Sequence, residues 1–143
     1  IELTSGQDLV MVNSIVTVLN SQLPDASIQL TETAETSCFS RIIELEYTIS
    51  NFNATDDLPL GTPIAFYVEN NLVGQAQTEA EIPVGTSITS VIEIEIDPNF
   101  PDQFQIIAVV DDTGDGTGII SDIIENNNIT VQRIKGNIRF NSF

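Results

Sequence analysis

The stretch DQFQIIAVVDDTGDGTGIISDIIENNNITVQ, residues 102–132, decides the reading of this chain. Phe104, Ile106, Ala108 and Val110 alternate with Gln105, Ile107 and Val109, the two-residue period of a strand. An acidic loop, DDTGDGTG, follows with three glycines, which supply the positive φ angles that tight turns need. Ile129 and Val131 then flank Thr130 in a second short strand, entered through an ENNN corner. The unit reads as a hairpin around a long acidic loop.

Outward from this hairpin, strand signals recur with turns between them, and helical periodicity is hard to find. Strands are expected at 28–31, 42–50, 64–69, 72–76, 91–96, 104–110 and 129–132. Ile43, Leu45, Tyr47 and Ile49 are expected to face a core, with Glu44, Glu46 and Thr48 outward. Ile92, Ile94 and Ile96 alternate with Glu93 and Glu95 in the same way. Ile64, Phe66 and Val68 face inward with Tyr67 opposite, and Glu69-Asn70-Asn71 reads as a hairpin turn. Two such sheets packed face to face make an all-β, immunoglobulin-like antiparallel β-sandwich of about seven strands.

Several phrases in order resemble CARDB-like domains, the immunoglobulin-like modules of bacterial and archaeal surface proteins. Val110-Asp111 and Glu125-Asn126-Asn127-Asn128 are similar to that family's closing "VD" and "E-x-N-N". LEYTISNFNATDDLPLGTPIAFYVENNLVG (residues 45–74) looks like its "V-x-N-x-G" loop and following "V-x-F-Y" strand. Asn53-Ala54-Thr55 departs from it, since the family often has glycine there. IPVGTSITSVIEIEI (residues 82–96) is similar to its "L-x-x-G-x-S" lead-in. The phrasing also resembles repeat modules of gliding-associated surface proteins in Bacteroidetes. The resemblance covers residues 26–132 and implies a non-catalytic, extracellular, surface-exposed module. Such a module acts as a spacer, an assembly unit or an adhesion domain, with neighbouring domains or copies of itself as partners.

Composition sets further bounds. A length of 143 residues with 41% hydrophobic residues suits one domain with a real core. The lone cysteine, Cys38, forms no intrachain disulfide and reads as a small buried hydrophobe. All 21 acidic residues fall within positions 1–132, where Arg41 is the single base. Such a body repels nucleic acid and anionic membranes and attracts divalent cations or basic surfaces. Arg133, Lys135 and Arg139 make residues 133–143 a basic extension. No run reaches the ~18 apolar residues of a transmembrane helix. The chain has no signal peptide and begins with Ile1, which reads as a mature or excised fragment.

Residues 1–25 precede the resembling region. Within them LVMVNSIVTVL, residues 9–19, is apolar on both strand faces. Three placements stay open: packing at home as a first strand, insertion into a neighbouring subunit, or closing a preceding domain. Insertion would make the chain a subunit of an extracellular filament assembled by strand exchange, the main alternative to a spacer. A carbohydrate-binding sandwich is a further alternative, though the chain has no tryptophan.

The acidic loop is the one candidate ligand site. Asp111, Thr113 and Asp115 fall at positions 1, 3 and 5 of an EF-hand pattern, Gly116 at 6 and Asp122 at 12. Strands rather than helices flank it, and Gly118 stands where an apolar residue is usual. The loop is therefore not an EF-hand. It is a candidate Ca²⁺ loop at a sandwich tip, with Asp111, Asp112, Thr113, Asp115, Asp122 and Glu125 as ligands. The competing reading is a solvated hairpin rich in good turn residues. Glu44/Glu46 and Glu93/Glu95 are carboxylate pairs on strands, read as solvent-facing rather than as a glycosidase pair. The chain lacks histidine, the commonest general base, and shows no nucleophile triad or phosphate loop. These readings point away from an enzyme.

Overall fold

The computed structural model describes residues 22–35, 41–101, 104–121 and 128–134. Among them are seven strands: β1 (Ser27–Glu35), β2 (Ile42–Ser50), β3 (Pro63–Val68), β4 (Asn71–Gln77), β5 (Ser87–Glu95), β6 (Phe104–Val110) and β7 (Ile129–Ile134). They build a three-stranded sheet, β1-β2-β5, and a four-stranded sheet, β4-β3-β6-β7, with every pairing antiparallel. At one edge of the sandwich β1 lies near β7, and at the other β5 lies near β4. No helix among the described residues is long and apolar enough to cross a membrane.

The alternation read from the sequence decides the facing. Ile43, Leu45, Tyr47 and Ile49 of β2 are all buried, against Ile64, Phe66 and Val68 of β3 and Phe104, Ile106, Ala108 and Val110 of β6. Tyr47 and Phe66 join the two sheets edge to face, with ring centroids 5.4 Å apart at 64°. A pair of this geometry contributes about 0.5–1.5 kcal/mol beyond its buried area. Ile94 and Ile96 are buried, whereas Ile92 is half-buried near the edge of its sheet.

The turn between β3 and β4 takes two residues, Glu69 (φ 50°) and Asn70 (φ 69°), closed by the Val68–Asn71 pair. Positive φ at both positions is the signature of a type I′ hairpin, whose twist matches that of the strands. β5 begins four residues before the expected Val91. Its first residues, Ser87-Ile88-Thr89-Ser90, hold one apolar side chain, too few to display alternation. β1 likewise runs past Thr31 to Glu35, through a register shift between Leu30 and Glu32.

Both ends of the described body exceed the bounds read from sequence. Leu23 donates its N–H to Thr55 Oγ1 at 3.0 Å, and its carbonyl accepts from Thr55 N–H at 2.9 Å and Asp56 N–H at 3.1 Å. β7 continues to Ile134. The apolar stretch 9–19, on which strand exchange rests, and Cys38 lie outside the described residues.

Strand direction places the loops. The start of β1 pairs with the end of β2 (Ser27–Ser50), which pairs with the start of β5 (Ser50–Ser87). The start of β3 meets the end of β6 (Ile64–Val110), next to the start of β7 (Val109–Ile129). One end of the sandwich therefore holds loops 51–62, 78–86 and 111–121, and the backbone joins β1 there. β7 carries it away toward the opposite end.

Candidate functional site

The acidic loop hangs from the end of β6. Asp111 donates its N–H to Pro63 O at 2.7 Å and adopts φ 60°, a left-handed conformation that Asp tolerates better than most residues. That bend throws its carboxylate back over the loop. Oδ1 accepts from Ile119 N–H at 2.8 Å and Ile120 N–H at 3.2 Å, and Oδ2 from Ile120 N–H at 3.1 Å. The closure leaves no room for a side chain at Gly118, where a Cβ would stand 2.4 Å from Asp111 Oδ2 and 2.9 Å from its carbonyl oxygen.

Asp112 is a second latch. Its Oδ1 accepts from Gly114 N–H at 2.7 Å and Gly116 N–H at 2.9 Å, while Oδ2 accepts from Tyr67 Oη–H at 2.7 Å. Gly114 takes φ 98°, and a Cβ there would sit 2.6 Å from Gln75 Nε2, the group that donates to Thr113 O at 2.8 Å. Both latch residues are buried. Burial and then the Asp112 hydrogen bond push the Tyr67 phenol up to about 12, because each disfavours phenolate.

Asp115 sits at the exposed tip. Its Oδ1 accepts from Thr113 Oγ1 at 2.8 Å, Thr117 Oγ1 at 2.5 Å and Thr117 N–H at 3.0 Å. The bonds from Thr117 and Thr113 hold its carboxyl below the ordinary aspartate value, since each favours the charged form. Thr113 and Thr117 also bond through Thr113 N–H to Thr117 O at 3.0 Å, which pinches the tip closed.

This arrangement decides how well the loop suits a cation. Ca²⁺ needs six to eight oxygens converging on one point. Asp111, Asp112 and Asp115 instead each bind donors of the loop itself, and Thr113 turns to Asp115 and Thr117. Among the described residues no three acidic groups come together as a metal-holding set. The described carboxylates thus turn to donors of the loop rather than to one shared point. Asp122 and Glu125, the other two residues of that set, lie outside the described residues. An open hollow beside the loop is lined by Asp111, Asp112, Ile120 and Asn128.

The paired glutamates are where their alternation puts them, on the outer face of the three-stranded sheet. Glu93 and Glu95 are exposed and Glu44 and Glu46 partly so, with Glu44 directly across from Glu93.

A buried hub that composition does not betray lies at the same end. Asn51 is fully buried; its Oδ1 accepts from Asp25 N–H at 2.8 Å, and its Nδ2 donates to Asp56 O and Ile82 O, both at 3.0 Å. Its own N–H donates to Thr86 O and its carbonyl accepts from Gly85 N–H. One side chain thus fastens the incoming chain to two loops. Its one signal was its place as the Asn of the "V-x-N-x-G" phrase. Thr62 and Thr78, also buried, both donate their hydroxyls to Pro59 O, and Thr62 N–H donates to Thr78 Oγ1.

This architecture has solved counterparts. The solution NMR structure of a CARDB domain from Pyrococcus furiosus superposes with a TM-score of 0.58 at 17% identity, covering 79% of this chain and 94% of that one. The crystal structure of the domain, in complex with di-metal ions, gives 0.57 at 16% identity, with 78% and 87% covered. No family profile and no curated protein matches the sequence.

Proposed function

On the premise that this chain folds as a CARDB-like β-sandwich, we propose that it is a non-catalytic spacer module of an extracellular surface protein, working through protein contacts with its neighbours. The observation that carries this reading is the direction of the first and last of the described strands. β1 leaves one end of the sandwich and β7 arrives at the other. Modules strung through such ends lie in line rather than folding back.

The same geometry suits load. Tension applied ahead of β1 and behind β7 pulls each strand along its own axis. The inter-strand hydrogen bonds lie across that axis, so they share the load instead of opening one by one. The latched 111–118 loop and the Asn51 hub hold the end where tension enters. The described polar groups of the loop are occupied in building this end, which supports a structural role over a chemical one.

The test is force spectroscopy on a tandem array of this chain. The expected record is a sawtooth of single, evenly spaced unfolding events, one per copy. Extension without resolved peaks would remove the spacer reading.

A further inference from the structure

A sheet edge exposes unpaired backbone groups, and natural edges are guarded by charge, proline or a bulge. Four of the described strands stand at edges: β1 and β5 in one sheet, β4 and β7 in the other. β1 carries Glu32 and Glu35, β5 carries Glu93 and Glu95, and β7 carries Arg133. β4, NLVGQAQ, has neither charge nor proline, in a chain that nets −17. Its one guard is a register shift at Val73, between the pairs Phe66–Gly74 and Tyr67–Leu72. Residues 74–77, beyond the shift, pair regularly with β3.

Hydrogen-bond direction shows which groups this edge offers. Thr78 N–H donates to Thr62 O at 3.0 Å, so Thr78 turns toward the β3 side. Bonded and non-bonded pairs alternate along an antiparallel ladder. Ala76 and Gly74 therefore turn toward Ile64 and Phe66, while Gln77 and Gln75 turn their N–H and C=O outward. Pro63, opposite Gln77, agrees: its carbonyl accepts from Asp111 N–H at 2.7 Å, on the β6 side. Among the described residues no strand lies against this edge of β4. Gln75 and Gln77 are exposed, and Ala76 between them is partly so.

We infer that this edge pairs with the β4 of a second copy, antiparallel about a two-fold axis at Ala76. That register sets Gln75 against the partner's Gln77 and Gln77 against the partner's Gln75, so each outward N–H meets an outward C=O. The two copies of Ala76 meet in the close, non-bonded pair, where a small side chain fits. One surface supplies both halves, as a two-fold contact requires, and this self-match favours a second copy over an unrelated strand. Charge selects this edge: pairing two β1 or two β5 edges would bring glutamates together. Through β4, Glu79 falls beside the partner's Val73 rather than the partner's Glu79. Four residues a side bury less than the ~1,200 Å² of a standard interface, so the contact is transient. The net charge of each copy opposes approach, so salt strengthens it. The inference does not rest on the spacer reading, since single chains free in solution suffice to test it.

The test is amide hydrogen exchange on the full chain at high salt, with mass followed by sedimentation equilibrium. Between about 0.02 and about 1 mM protein, the amides of Gln75 and Gln77 are expected to slow roughly threefold or more, as the mass climbs toward that of a dimer. The control is Val91, whose N–H also points off a sheet edge, because Ile96 N–H donates to Arg41 O and β5 alternates from there. Its rate is expected to stay constant. Gln77→Pro removes an outward N–H and leaves the bonds to β3 in place. It is expected to hold the mass at that of a monomer at every concentration. Constant mass with unchanged rates at Gln75 and Gln77 would overturn the inference. So would association that protects other amides instead, or that persists in a folded Gln77→Pro chain. Should that variant fail to fold, the exchange rates of the unaltered chain still decide.

Discussion

Asp112 shows how much depends on where a side chain points and not on residue type alone. Sequence put it among the candidate Ca²⁺ ligands, and the fold gives its carboxylate to Gly114, Gly116 and Tyr67. Asp112→Ala strips three part-buried donors of their acceptor and is expected to cost about 1–3 kcal/mol, read by urea unfolding. A metal ligand would instead lose stability only when cation is present. Tyr67 reports the same contact. Its folded pKa of about 12 lies above the ordinary 10.0, so native protein keeps a proton that unfolded chain releases. The stability it lends is full below pH 10 and drains away between about 10 and 12. Ultraviolet titration should find this phenol still protonated at pH 11, and Tyr67→Phe should remove that titrating group. Sequence revealed which residues shape the loop, since Asp and Gly are turn formers. Their targets depend on the φ of Asp111 and on the strand bearing Tyr67, neither of which a local pattern encodes.

At the level of strands, β2 and β6 were legible to the residue because alternation runs unbroken along both. Where alternation thins, as in the Ser87-Ile88-Thr89-Ser90 start of β5, backbone pairing with β2 extends the strand beyond its pattern. Thr48 and Thr89 share a hydroxyl bond of 2.9 Å there, a cross-strand pair invisible before the register is known. Register also exposes a fault: Glu44 faces Glu93 directly. Like charges so placed oppose pairing. Glu93→Lys should therefore stabilise the sandwich by about 0.2–1 kcal/mol, with a gain that shrinks in high salt. Glu95→Lys is the control, since its partner is Ile42. Thermal melts at two salt concentrations separate the pairwise gain from general relief of negative charge.

For the molecule as a whole, the described carboxylates that suggested calcium spend their oxygens on loop donors. Melting temperature in millimolar Ca²⁺ should therefore match that in chelator to within about 1 °C. A rise of several degrees would follow from tight cation binding and would place the ligands outside the latches. One consequence of strand direction concerns how this chain can be re-cut. Domain termini often lie close together, which is why many proteins tolerate circular permutation. Here the start of β1 and the end of β7 are separated by the six residues of β7, roughly 20 Å at 3.3 Å each. A permutant joining them needs a linker of about six residues or more laid along the outside of the sandwich. A head-to-tail fusion has no such gap to cross. Trimmed to its strands, the fold is easier to lengthen than to close into a ring.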